Sequence, residues 1–231
     1  MKKPLVVWGD SSIRWVDTIV DELMPKFFKG YWEPFCGGAI VAYNLPRIPA
    51  KRIYIGDTYS DLMNVYKVLR HPIELDICLR TIATHKKCDS STLAEMFDAE
   101  DTLAPERAAL FILLAVIDTQ KIEGFAKWLQ RVSVYEGDYS CIQPKSSDLV
   151  FIDPPSEFDF QTLCNYCDYW GNEAMLIGTI PDTEENREIF RNYNLTRLRS
   201  PQSIELLFRN YGKATHTIQK MPIPEGGMPQ N

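Results

Sequence analysis

The sequence predicts an α/β protein: a mostly parallel sheet covered on both faces, with an antiparallel hairpin at its edge and a small helical insert. Three observations predict it. Short runs rich in β-branched and aromatic residues alternate with segments of helical periodicity in both halves of the chain. Residues 72–131 carry almost continuous helical signal with no strand between. Close to the end, two extended runs flank Ser200-Pro201-Gln202, the pattern of a hairpin.

Taken in order, Ile13, Val16, Ile19, Val20 and Leu23 recur at helical spacing, with Ser11 or Ser12 as N-cap and Pro25 beyond the end. Gly30 to Ala39 reads as a short strand that runs into a glycine turn, followed by a helix from Ile40 to Leu45. A second strand, Arg52 to Asp57, ends in an acid and precedes a helix from Ser60 to Leu69 with Leu62, Val65, Tyr66 and Leu69 on one face. Three or four helices fill the insert, with breaks at 86–89, at Pro105 and at 122–124. Strands return at 132–135, 149–152 and 174–178, a helix follows at 184–193, and the hairpin pairs 195–199 with 203–208. Residues 1–71 and 132–221 are therefore expected to form the core, and the Pro- and Gly-rich 222–231 a flexible tail.

Composition narrows the class. The 231 residues are 45% hydrophobic and 24% charged, enough to bury a full core, and the net charge of −6 argues against a wholly basic nucleic-acid coat protein. No apolar stretch reaches the roughly 20 residues of a membrane span. The opening Met1 to Trp8 breaks at Gly9-Asp10, too early for a signal peptide, so a cytoplasmic location is expected. The six cysteines are scattered; Cys164 and Cys167 have metal or redox spacing, but no second pair completes a zinc site, and no metal is expected.

The chemistry concentrates at strand ends, where ligands bind on such sheets. The run Leu149 to Ile152 delivers Asp153-Pro154-Pro155-Ser156. Two prolines in series fix φ near about −65° and supply carbonyls on a stiff turn. An aspartate beside them accepts a hydrogen bond from an amino group, and the Pro154 carbonyl accepts a second from the same nitrogen; amino methylation needs that geometry. In Glu33-Pro34-Phe35-Cys36-Gly37-Gly38-Ala39 the glycines allow a tight turn or the close approach of a ligand. Its spacing matches neither a dinucleotide fingerprint nor a P-loop, so a nucleotide-like ligand without phosphate fits better. Asp57 lies about 20 residues on, where nucleotide folds place a ribose-binding carboxylate; an ordinary helix N-terminal acid is the alternative. Asp138 follows the next strand, positioned either for an adenine amine or as a plain turn acid.

Trp8-Gly9, the Glu33 to Gly38 motif, Ile55-Gly56-Asp57 with Ser60 to Tyr66, and Asp153-Pro154-Pro155 come in the order and rough spacing of the Dam-like, D12 class DNA adenine-N6 methyltransferases. The chain resembles that family over about residues 5–70 and 132–210. The resemblance implies a Rossmann-like methyltransferase fold and S-adenosyl-L-methionine as cofactor. It places Trp8, Gly9, Glu33, Pro34, Phe35, Cys36, Gly37, Gly38, Asp57, Asp138 and Asp153 around that cofactor. Asp153, Pro154, Pro155 and Ser156 become the catalytic motif. It further implies double-stranded DNA as partner, with the target adenine flipped out of the stack.

Three positions depart from the family pattern. Ser156 stands where the family has an aromatic, usually tyrosine, that stacks on the flipped base; Phe158 or Phe160 could substitute from the same loop. Asp10-Ser11-Ser12 replaces an N-terminal basic residue, with Arg14 the nearest cation. Residues 108–124 lack the Asn-Arg and Phe-Asn-Gly patterns, so the insert, the candidate target-recognition lobe, is rebuilt. Lys86, Lys87, Lys127 and Arg131 are candidate phosphate contacts or a solvated face. Two other readings stay open: a relative with lost or weakened catalysis that binds or regulates, and a methyltransferase redirected to another amino substrate.

Overall fold

The computed structural model describes residues 2, 5–6, 11–46, 52–115, 117–201, 203–212 and 217–219. Helix α1 (Ser11–Asp17) continues as a π-helical stretch, Thr18–Leu23, that buries Thr18, Ile19 and Leu23. Strand β1 (Gly30–Glu33) leads through a tight loop into α2 (Ile40–Asn44), and β2 (Arg52–Asp57) into α3 (Ser60–Arg70). Helices α4 (Pro72–His85), α5 (Ser90–Phe97), α6 (Ala104–Leu114) and α7 (Ile122–Leu129) follow before β3 (Val132–Glu136). Then come β4 (Leu149–Ile152), α8 (Phe160–Gly171), β5 (Met175–Pro181), α9 (Glu184–Ile189), β6 (Asn194–Arg199), β7 (Ile204–Arg209) and β8 (Thr217–Gln219).

Local chemistry explains the boundaries. Pro72 starts α4, where its missing N–H costs nothing, and Asp89, Asp159 and Thr183 cap α5, α8 and α9 by accepting from the amides of Thr92, Thr162 and Asn186, each at 3.0 Å. Strand β4 is buried along its whole length, as a central parallel strand should be.

Among the described residues the sheet has the order β3-β2-β1-β4-β5-β7-β6-β8. The first five strands run parallel, and β7 is antiparallel to both β5 and β6. The hairpin thus enters with its second strand against β5, and β8, which sequence periodicity did not mark, pairs in parallel outside β6. Gly124 sits inside α7 rather than at a break, and Ser11 is the first residue of α1 rather than its cap. One face of the sheet packs Trp15, Tyr31, Ile55, Leu62, Tyr66, Phe125 and Phe151; the other packs Val150, Leu163, Trp170, Leu176, Phe190 and Phe208. Only a 3-10 turn, Tyr139–Cys141, lies between β3 and β4, which leaves Trp32, Tyr54 and Tyr135 half-buried on that second face. Among the described residues no helix is long and apolar enough to cross a membrane.

Candidate active site

Strands β2, β1 and β4 are neighbours and parallel, so the residues that follow them emerge side by side at one edge. This brings Asp57, the loop 34–39 and Asp153 to a common rim. The loop is held from both sides. Cys36 N donates to the Gly56 carbonyl at 2.9 Å, Gly37 N donates to Asp57 Oδ2 at 3.0 Å, and the Tyr66 hydroxyl donates to the Gly37 carbonyl at 2.6 Å. Gly37 has φ of 43°, a conformation that glycine adopts without strain, and Ala39 follows in the same left-handed region at 50°. Asp57 Oδ1 accepts from Tyr59 N at 3.1 Å. One carboxylate therefore fixes the glycine turn and opens α3, and its remaining lone pairs can still accept from a ligand.

Beneath the loop, Glu33 is 2% exposed; its Oε2 accepts from the Tyr31 hydroxyl at 2.7 Å and from Ala42 N at 2.9 Å. Burial pushes its carboxyl up to about 8, with Asp153 adding to the rise and the two hydrogen bonds opposing it. Burial likewise pushes the Tyr31 and Tyr66 hydroxyls and the Cys36 thiol well above their ordinary values. Pro34 and Gly38 are buried here, and Phe35 is half-buried. Glu33 and Cys36 thus brace the loop from inside. Trp8 and Gly9 lie outside the described residues.

Asp153 leaves β4 and accepts at Oδ1 from the Thr179 hydroxyl of β5 at 2.5 Å. Pro154 is buried, Pro155 and Ser156 are exposed, and Phe158 N donates to the Pro155 carbonyl at 3.2 Å. Among the described residues none donates to the Pro154 carbonyl. Nothing in the sequence marked Thr179, since a threonine in a β-run signals only strand propensity. A second acid lies behind it: Glu205 on β7 is 8% exposed, and Ser203 Oγ donates to its Oε1 at 3.1 Å while Arg14 Nη1 donates to Ser203 Oγ at 3.0 Å. Burial first, then Asp153, raise the Glu205 carboxyl. Arg14, the nearest cation to the missing N-terminal base, is thereby tied to β7.

Phe158 is committed to packing. Its ring meets Phe35 at 5.1 Å and Tyr139 at 5.3 Å, and Phe35 and Tyr139 stack at 5.3 Å. These three rings join the β1, β3 and β4 loops, a contact across three distant segments that no local pattern could reveal. Asp138 is exposed and caps the 3-10 turn by accepting from Ser140 N at 2.9 Å, while Gly137 N donates to the Asp57 carbonyl at 3.1 Å. Asp138 thus comes near the rim but already carries a local role. Asp57 with lone pairs to spare and the glycine turn at Gly37 are features that a nucleoside without phosphate would need, whereas the rings of Phe35, Tyr139 and Phe158 pack on one another. Cys164 and Cys167 are buried within α8, and no group of three or more metal-ligating side chains occurs among the described residues. Lys86 and Lys87 follow α4, whereas Lys127 and Arg131 lie at the amino end of β3, opposite the rim.

Comparison with known proteins agrees with this frame. Residues 15–114 match the family model of the D12 class N6 adenine-specific DNA methyltransferase. The type II methyltransferase M.MjaIII of Methanocaldococcus jannaschii is 22% identical over 200 residues, covering 66% of this chain and 68% of that protein. Among solved structures, the ribosomal protein L11 methylase of Lactobacillus delbrueckii subsp. bulgaricus superposes with a TM-score of 0.50 at 10% identity, covering 88% of this chain and 80% of that one. TrmK of M. capricolum, solved with S-adenosyl-homocysteine, gives a TM-score of 0.43 at 9% identity, over 92% of this chain and 72% of that one. Through residues 15–114 the chain resembles the D12 class N6 adenine-specific DNA methyltransferases, and its fold is the Rossmann-like methyltransferase fold.

Proposed function

We propose that the protein is an S-adenosyl-L-methionine-dependent methyltransferase that acts on the N6 amino group of adenine in DNA. The observation that carries this reading is the Asp153-Pro154-Pro155 turn at the tip of β4, with Thr179 fixing one carboxylate oxygen and a Pro154 carbonyl that no described residue engages. Bound S-adenosyl-L-methionine supplies an electrophilic methyl group. The loop from Glu33 to Gly38 would hold it, with Asp57 on its ribose hydroxyls. Trp8 and Gly9 are the further residues the family resemblance assigns to the cofactor, and Asp138 would face its adenine.

Asp153 and the Pro154 carbonyl would each accept a hydrogen bond from the target amine, which aligns the nitrogen lone pair with its reaction partner. The same two acceptors stabilise positive charge as it develops on that nitrogen, so positioning and electrostatics account for the rate. No covalent nucleophile is required. Because the reacting nitrogen lies inside a duplex, the base must leave the stack. The helices between residues 72 and 131 would then contact the DNA.

A redirected amino substrate is the second reading. Ser156 offers no ring, and Phe158 is held by Phe35 and Tyr139, so base stacking must come from elsewhere, Phe160 included, or be absent. Calorimetry with S-adenosyl-L-methionine, followed by incubation of its labelled form with unmethylated DNA, tests the proposal. Cofactor binding with label recovered as N6-methyladenine is the expected result. Binding without transfer to any DNA would remove DNA as substrate, and no binding at all would leave the fold without this activity.

A further inference from the structure

The carboxyl rim of the sheet carries acids, of which Glu136 is paired with Lys67 and Asp182 with Arg187 and Arg197, and the amino-terminal edge carries cations. Asp57, Glu136, Asp138, Asp153 and Asp182 end or follow strands at the carboxyl rim, whereas the amino ends of β3, β2, β1 and β4 carry Arg131, Arg52, Lys29 and Lys145. The register makes these four contiguous. Gly30 pairs with Arg52, Ile53 with Val132, and Lys29 N donates to the Ser147 carbonyl at 2.8 Å beside Lys145. At a spacing of about 4.8 Å per strand, four neighbouring strands place the cations in a row roughly 15 Å long. All four are exposed. Asp148, which lies among them, is 1% exposed and is engaged by Arg52, Trp32 and Lys145 N.

Aromatic surface accompanies the row. Phe27, between Lys26 and Lys29, is 86% exposed, although its neighbour Phe28 is buried against Tyr31. On the second sheet face, which α8 covers on the β5 side, Trp32 and Tyr54 stack at 4.0 Å and remain half-buried, and the exposed Ser133 leaves space beside Tyr54. Parallel sheets are ordinarily covered on both faces. A row of cations beside one exposed ring, Phe27, and two half-buried ones, Trp32 and Tyr54, matches how single-stranded nucleic acid is held, by phosphates along the cations and bases on the rings. An anionic membrane would call for several exposed apolar side chains, and among the described residues of this edge Phe27 is the large apolar side chain that is exposed.

We propose that the amino-terminal edge of the sheet, from Lys26 to Lys145, is a binding surface for single-stranded nucleic acid, remote from the carboxyl rim and independent of whether that rim methylates DNA. Fluorescence polarisation of fluorescein-labelled oligothymidine tests it, with full-length wild-type protein and the triple variant K29Q/R131Q/K145Q. The variant should weaken binding at least about 10-fold and flatten the dependence of log K on log salt by about 2, since each single-strand phosphate contributes a slope of about 0.7. Phe27→Ala should weaken it about 5- to 100-fold by loss of one stacked base. All four residues are exposed, so matching melting curves are expected.

Absence of oligonucleotide binding by the wild type, or equal affinity and salt slope in the triple variant, would overturn the inference. So would selective loss of binding to phosphatidylglycerol vesicles with oligonucleotide affinity unchanged. Calorimetry with S-adenosyl-L-methionine on the same variant keeps the two proposals apart: unchanged cofactor affinity with lost strand binding supports this surface even if no methyl group is ever transferred.

Discussion

Thr179 donates to Asp153 from the neighbouring strand, so Thr179→Val removes one hydrogen bond with almost no change in volume. A hydrogen bond to a charged group contributes about 1.5–3 kcal/mol, which predicts a fall in kcat of about 10- to 100-fold with cofactor affinity unchanged. An unchanged kcat would mean that the aspartate is oriented by other contacts. Ser156→Tyr should raise DNA methylation if base stacking limits the reaction; an unchanged or lower rate points to an adapted pocket and another amino substrate. Glu33 supplies a pH test. Its carboxyl ionises near its ordinary 4.5 in the unfolded chain but at about 8 in the folded one. The unfolded chain therefore releases a proton first, and stability present at acid pH is lost as pH rises to about 8. Glu33→Gln keeps an acceptor for Tyr31 and Ala42 and cannot ionise, so its melting temperature should fall less than that of the wild type between about pH 5 and about pH 8. Parallel curves would contradict the assignment. At this scale the sequence showed the acids and the glycines, because each stands at a strand end. Thr179 and Glu205 were illegible, since their importance lies in strands that pair only after folding.

At the scale of elements, the β1 loop depends on how closely β2 and β3 approach. A Cβ on Gly56 would come within 2.2 Å of the Tyr135 ring, so Gly56→Ala must displace either that ring or the end of β2. Overpacking of this kind costs about 1–3 kcal/mol. For a chain of this size that corresponds to a loss of roughly 2–12 °C in melting temperature. Because the Gly56 carbonyl also holds Cys36 N, calorimetry should show weakened cofactor binding as well. Undiminished affinity would separate the loop from β2. The strands and helices around the rim were readable because period two gives way to helical period at each strand end, as at Asp57 before α3, although neither α2 nor α3 has a capping side chain. Strand β8 was not, since three residues paired in parallel to β6 leave no periodic trace. The ring cluster of Phe35, Tyr139 and Phe158 was also hidden, because it is assembled from three separate loops.

At the scale of the whole molecule, the sheet order sets the acids of the carboxyl rim at one end and the cations of the strand starts at the other. The rim is where the Asp153-Pro154-Pro155 turn, the glycine loop and Asp57 converge, and that convergence is the basis for the methyl transfer proposed at this edge. The most direct test compares wild type with Asp153→Ala in transfer of labelled methyl to unmethylated DNA, with calorimetry of S-adenosyl-L-methionine on both proteins. Transfer to adenine N6 by the wild type, its loss in the variant and equal cofactor affinity in the two is the predicted result. Retained turnover in Asp153→Ala would contradict the assignment.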